Sequence, residues 1–200
     1  MLKLHGMSAS GNCHKVRMLL SHLQIPYIWQ EVDVVNGETR TEPFLAMNPV
    51  GQVPTLEIEP GKYLAESNAI LIYLAEGSPF IPVDNYLRAQ MLGWMFYEQY
   101  SHEPYVAVAR FICKFLPVDH LRRNELPRLH ERGNSALAVM QQHLASRTFF
   151  VGEQYSLADI ALYAYTHCAE EGGFTLQNYP AVTTWLQRIE EQPGFVPMTV

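Results

Sequence analysis

Within six residues, Ser8-Ala9-Ser10-Gly11-Asn12-Cys13 supplies two hydroxyls, a carboxamide and a thiol, directly ahead of an apolar-periodic stretch. The first backbone N–H groups of a helix are unpaired and sit at the positive end of its dipole, so this run is a ready site for an anion. On position alone Ser10 reads first as an ordinary N-cap, because a serine oxygen there accepts from a first-turn N–H in any helix. Two further segments carry chemistry-bearing types. Gly51-Gln52-Val53-Pro54 sets a proline at the mouth of a strand, as an edge residue or as a cis bond. Glu66-Ser67-Asn68-Ala69-Ile70 sets an acid and a hydroxyl at a helix start, as a cap or as a pair that recognises charge. The three cysteines, Cys13, Cys113 and Cys168, and the eight histidines show no HExxH, CxxC or disulfide-framework spacing. No metal site is expected, and the thiols suit a reducing compartment.

The elements that must position these residues follow from periodicity. Met1 to His5 and Tyr27 to Val35 alternate as strands. Between them Cys13, Val16, Leu19, Leu20 and Leu23 recur at three and four residues, predicting a helix from near Ser10 to before Pro26. A short helix around Glu42 to Met47 stops at Asn48-Pro49. Strands over Pro54 to Ile58 and Lys62 to Leu64 are joined by Glu59-Pro60-Gly61, and a helix runs from Ser67 to Ala75 with Glu66 or Ser67 as its N-cap. The order is βαβαββα. Beyond the Pro-rich link at Gly77-Ser78-Pro79 and Ile81-Pro82 the pattern is helical. Tyr86 to about Leu116 reads as one long helix or a kinked pair bent at Pro104, its inner face Met91, Leu92, Met95, Phe96, Tyr100 and Tyr105. Leu121 to Leu144, Leu157 to about Cys168 and Ala181 to Glu191 add more. An α/β first domain over 1–77, a linker over 78–85 and an all-helical second domain over 86–200 are therefore expected.

With 200 residues, 48% of them hydrophobic and 17% charged, the chain can bury a core without cross-links. A net charge of −6 disfavours nucleic acid and anionic membranes as partners. The longest apolar run, Ala69 to Ala75, is too short to span a bilayer, and His5 and Ser8 interrupt any signal-peptide core. A cytoplasmic location is expected.

In this order and at these spacings, the three segments resemble the glutathione-binding half of a cytosolic glutathione S-transferase, in its bacterial serine-type branch. The likeness covers essentially the whole chain. Asn48-Pro49 with Gly51-Gln52-Val53-Pro54 resembles the family's turn into a cis-proline strand, and Leu64-Ala65-Glu66-Ser67-Asn68-Ala69-Ile70 resembles its γ-glutamyl-binding segment. Gly152 followed by Ser156-Leu157-Ala158-Asp159 looks like its capping box, and Tyr179-Pro180 through Trp185 like its C-terminal helix. The resemblance implies a thioredoxin-like first domain that holds glutathione as co-substrate without a metal, and a helical second domain that walls the electrophile. It also implies a homodimer through the first domain's late helix and the second domain's first helix. The backbone of Val53, before a cis Pro54, would pair with the cysteinyl part of the tripeptide like an added strand. Glu66 would answer the γ-glutamyl ammonium and Ser67 its carboxylate, with Gln52 at the glycyl end or on the backbone.

Aligning Cys13-His14-Lys15-Val16 with the family's first helix gives Ser10 the activating hydroxyl, with Ser8 as its competitor and Asn12 as a second donor to the same sulfur. A free thiol has a pKa of about 8.5, and lowering it by roughly two units takes about 2.7 kcal/mol in favour of the thiolate. A hydroxyl donating to the anion supplies about 1.5–3 kcal/mol and a helix N-terminus about 1–2 more. Ser10 is thus expected to act as a donor, with no Ser-His-Asp arrangement. Where family members often carry proline, this chain has Met7 or Ser8, which leaves the loop without that restraint. Ser10-Gly11-Asn12-Cys13 also reads as a thioredoxin CxxC lacking its first cysteine, which excludes a dithiol cycle within one chain. Glutathione transfer to a small hydrophobic electrophile is the leading expectation, in a detoxification role, with Tyr105 against the substrate. A glutathione-dependent peroxidase or disulfide reductase, and a non-enzymatic ligand- or partner-binding relative, are the alternatives.

Overall fold

Four strands form a single sheet near the start of the chain: β1 (Leu2–Gly6), β2 (Tyr27–Glu31), β3 (Thr55–Glu59) and β4 (Lys62–Ala65), in the order β2-β1-β3-β4. The structure is a computed structural model describing residues 1–198. β1 and β2 run parallel, with Leu4 opposite Trp29, while β1 with β3 and β3 with β4 run antiparallel. The parallel pair needs a crossover, which α1 (Gly11–His22) provides; α2 (Glu42–Met47) lies before β3 and α3 (Ser67–Ala75) after β4. Leu4, Leu56, Val16, Leu20 and Ile70 are fully buried together, so one sheet face takes the apolar stripes of α1 and α3. This is the expected thioredoxin-like βαβαββα unit.

Strand β2 stops four residues short of the expected Val35. Val32 donates its N–H to the Gly6 carbonyl at 2.8 Å, and the chain then turns, the Asp33 carboxylate accepting from the Asn36 N–H and side-chain amide. Local turn chemistry outcompetes the alternation of the valines.

The chain divides into two units, Met1–Ser78 with the segment from Gln192, and Pro79–Glu191. The expected helical domain running to 200 is corrected at its end, because the last segment docks back on α1. The buried His14 ring bonds the Val196 carbonyl through Nε2 at 2.9 Å, and His22 Nδ1 bonds the Pro193 carbonyl at 2.8 Å. Deleting residues from Gln192 onward is expected to cost about 2 kcal/mol, read as a lower Tm in thermal unfolding; an unchanged Tm would show that α1 does not depend on the segment.

The second unit is helical: α4 (Asn85–Tyr97), α5 (Glu103–Phe115), α6 (Leu126–Leu144), α7 (Leu157–Thr166) and α8 (Pro180–Glu190), with short 3-10 turns between. All ten residues of α7 are buried, as for a helix at the centre of a bundle. Between α4 and α5 lies a π turn over Glu98–His102. The break expected at Pro104 therefore precedes it; Pro104 occupies the first turn of α5, where its missing N–H costs little. Of the expected inner face, Met91 and Met95 are buried, whereas Phe96 is 69% and Tyr100 84% exposed. Periodicity finds an apolar stripe without telling an inward face from an outward one. Among the described residues, no helix is long and apolar enough to cross a membrane.

Candidate functional site

The β1–α1 loop folds as a turn in which the Ser10 N–H donates to the Met7 carbonyl at 2.9 Å. Ser10 then caps α1: its hydroxyl oxygen accepts from the Cys13 N–H at 3.4 Å and its carbonyl from the His14 N–H at 2.9 Å. Capping uses a lone pair of the hydroxyl, and its proton has the neighbouring Cys13 thiol, a weak acceptor, within reach. Ser8 is committed elsewhere. Its N–H donates to Glu31 Oε1 at 2.8 Å and its hydroxyl to Glu31 Oε2 at 2.6 Å, so its single proton is spent. Capping does not exclude the donor reading of Ser10, and Ser8 is the more firmly bound of the two, to a carboxylate.

Cys13, one turn along, is fully buried, and desolvation pushes its thiol up to about 12 despite the Ser10 contact. A thiol in that range is protonated and inert at neutral pH.

Asn12 and Ser67 are brought together. The Ser67 hydroxyl donates to Asn12 Oδ1 at 3.3 Å, and the ammonium of Lys15, fully buried on α1, donates to the Ser67 hydroxyl oxygen at 3.3 Å. Lys15 was not singled out from sequence, because a lysine beside an apolar stripe reads as a solvated charge until its neighbour on α3 is known. The chain ahead of Ser67 is held in an uncommon conformation: Glu66, a non-glycine residue, has φ 67° and makes no side-chain cap to α3. Glu66 occupies the expected N-cap position, its carbonyl accepting the Ile70 N–H at 2.9 Å, but its side chain does not cap. A left-handed backbone at a side chain that remains exposed is a feature of recognition sites.

The Val53–Pro54 peptide bond is cis. The turn before it is organised by the buried Asn48, whose side-chain amide donates to the Gln52 carbonyl at 2.8 Å and to Thr55 Oγ1 at 3.2 Å, while its oxygen accepts from the Val50 N–H at 3.1 Å. Gln52 is exposed and Val53 half-buried. Gly51 is required here: with φ +67° it lies so close to Arg40 that a Cβ would stand 2.5 Å from Nη1. Arg40 in turn donates to the Val50 carbonyl at 3.0 Å, which fixes a cation two residues from Gln52. Sequence reading passed over Arg40, which lies in no motif.

Tyr105 belongs to the second unit, half-buried on the first turn of α5. Among the described residues, no group of three or more His, Cys, Asp and Glu could hold a metal ion.

The family model described as glutathione S-transferase, N-terminal domain, matches residues 9–76, and that described as glutathione S-transferase, C-terminal domain, matches residues 91–193. The solved structure of a glutathione S-transferase from Pseudomonas fluorescens Pf-5 is 54% identical, superposes with a TM-score of 0.94 and covers 98% of each chain. A glutathione transferase family member from the same organism, solved with two glutathione bound, is 26% identical with a TM-score of 0.84 over 96% of this chain and 89% of that one. The disulfide-bond oxidoreductase YfcG of Escherichia coli K12 is 28% identical over 92% of this chain and 87% of its own. Elongation factor 1-gamma of Danio rerio is 33% identical over 80% of this chain, which spans only 36% of that protein.

Proposed function

Because the chain belongs to the glutathione S-transferase family, we propose that it is a glutathione transferase of the serine-type branch, activating the glutathione thiolate for attack on small hydrophobic electrophiles. The observation that carries this reading is the Ser10 hydroxyl, set at the N-terminus of α1 with its oxygen on the Cys13 N–H. Bound glutathione gives its thiol proton to solvent, and the Ser10 hydroxyl, with Asn12 beside it, donates to the sulfur anion at the positive end of the helix dipole. With an aryl halide, a sulfur electron pair forms the new C–S bond and the halide leaves with the pair of the broken one.

The rest of glutathione is assigned by charge. The Val53 backbone, beside the cis Pro54, pairs with the cysteinyl part. The N–H of Ser67 at the start of α3 meets the γ-glutamyl carboxylate, and Glu66 meets its ammonium. Gln52 and the Arg40 guanidinium serve the glycyl carboxylate. Tyr105 is assigned to the electrophile. Homodimerisation accounts for the apolar side chains that α4 and the π turn leave exposed, Tyr86, Phe96 and Tyr100. Three free cysteines and a net charge of −6 suit detoxification in the cytoplasm.

A second reading rests on the likeness to the disulfide-bond oxidoreductase: the same thiolate attacks a disulfide sulfur and expels the other as a thiolate. Rates against an aryl halide, a hydroperoxide and a mixed disulfide separate these activities. The likeness to part of elongation factor 1-gamma keeps a non-enzymatic reading in view. Glutathione at a hundred times its Kd is expected to stabilise the protein by about 2.7 kcal/mol through mass action, seen as a Tm shift of several degrees; no shift at millimolar glutathione would overturn the enzyme reading.

A further inference from the structure

We infer that Glu31 is a positioning residue for the thiolate-activating loop, clamping the turn that carries Ser10 through both donors of Ser8. The inference rests on the transferase reading above. Glu31 is the last residue of β2 and lies opposite Gly6, the last residue of β1, so its carboxylate reaches the loop two residues beyond. There it accepts both donors of Ser8, the N–H at 2.8 Å and the hydroxyl at 2.6 Å.

The carboxylate is itself held. Trp29 Nε1–H donates to Glu31 Oε2 at 2.7 Å. The Trp29 ring lies against Gly6 so closely that a Cβ there would stand 2.6 Å from ring carbon Cη2, and the Arg17 guanidinium from α1 lies 5.3 Å from the ring centre. The clamp is therefore seated on both elements flanking the loop. Partial burial favours the protonated acid, but the bonds from Ser8 and Trp29 outweigh it and hold the carboxyl below its ordinary range, so the clamp is ionised at neutral pH.

One link then joins clamp to site. Ser8 is inside the turn closed by the Ser10 N–H on the Met7 carbonyl at 2.9 Å, and fixing its backbone fixes the direction from which the Ser10 hydroxyl meets the sulfur. Because the strength of a charge-assisted bond depends steeply on alignment, a loosened turn weakens thiolate stabilisation while the contacts of Glu66, Ser67 and Val53 to the rest of glutathione persist.

The test uses Glu31→Ala, at an exposed position at the end of β2, with Ser8→Ala as the second variant. In the absence of glutathione, Glu31→Ala is expected to speed amide hydrogen exchange at Ser8 and Ser10 by at least tenfold; unchanged exchange overturns the clamp. With glutathione, ultraviolet titration of the bound thiol is expected to give a pKa raised by roughly half a unit to one unit, and kcat near pH 6.5 to fall roughly three- to tenfold with KM for glutathione within twofold. Ser8→Ala removes only the hydroxyl bond and keeps the N–H bond, so its losses should be smaller, and the double variant should lose no more than Glu31→Ala alone. A wild-type protein with an ordinary thiol pKa counts against the transferase reading and leaves exchange to decide the clamp. A lowered wild-type pKa that Glu31→Ala leaves in place overturns the positioning role.

Discussion

Ser10→Ala is expected to lower kcat for glutathione conjugation by roughly ten- to a hundredfold, with KM for glutathione within about twofold. The size follows from one hydrogen bond to an anion, about 1.5–3 kcal/mol, lost from the thiolate while the contacts proposed for the γ-glutamyl and glycyl ends stay. The ultraviolet titration of bound glutathione should shift upward by roughly one to two units in parallel. Capping complicates any variant here, because Ser10 also accepts the Cys13 N–H and alanine at an N-cap costs about 1 kcal/mol of helix stability. Ser10→Gly separates the two roles. Glycine caps almost as well as serine but has no hydroxyl, so it should keep the Tm within a few degrees while losing as much kcat as alanine. Ser10→Thr should retain most of both. If Ser10→Gly conjugates at the wild-type rate, the thiolate donor lies elsewhere, and Asn12 becomes the first residue to test.

Where a feature is local in sequence, it was legible there. The order βαβαββα follows from periods of two and three to four broken by Asn-Gly, Asn-Pro and Pro-Gly turns, and the start of α1 follows from a serine ahead of an apolar stripe. Glu42–Met47 and Ser67–Ala75 appear as helices with the expected bounds because a proline or a capping position delimits each. The links that make the site are long-range and carry no periodic signature. Ser8 and Glu31 are 23 residues apart, Ser67 and Asn12 55, and His14 and Val196 182. A glutamate ending a strand and a lysine next to an apolar stripe look like solvated charges until the sheet register and the α1–α3 packing are known. The same limit explains Phe96 and Tyr100. An apolar stripe on a helix does not tell which of its residues a neighbouring helix covers and which it leaves exposed.

Asp159→Ala is expected to cost the second unit roughly 4 kcal/mol, a fall in Tm of roughly 10–15 °C. The carboxylate is fully buried at the third position of α7 and accepts four hydrogen bonds. Phe150 N–H and Trp185 Nε1–H donate to Oδ1 at 3.1 and 3.0 Å, and Ser156 N–H and hydroxyl to Oδ2, both at 3.0 Å. One side chain thus ties the start of α7 to the 150 segment and to α8, and alanine would leave those buried donors without an acceptor while opening a cavity. Asp159→Asn keeps one acceptor oxygen but turns an NH2 toward donors, so an intermediate loss is expected. Burial pushes the carboxyl up to about 6, against the pull of the bonds from Trp185, Phe150 and Ser156. The folded state therefore holds the proton more tightly than the unfolded chain. Its contribution to stability is fully present below the ordinary aspartate range and declines by roughly 3 kcal/mol as pH rises from about 4 to about 6, then stays level. In Asp159→Asn that decline should be missing, so the gap between variant and wild type should narrow as pH rises through this window. Denaturant unfolding of both proteins at pH 4, 5, 6 and 7 measures it; a gap that does not change with pH would mean that the four hydrogen bonds cancel the effect of burial and hold the carboxyl in its ordinary range.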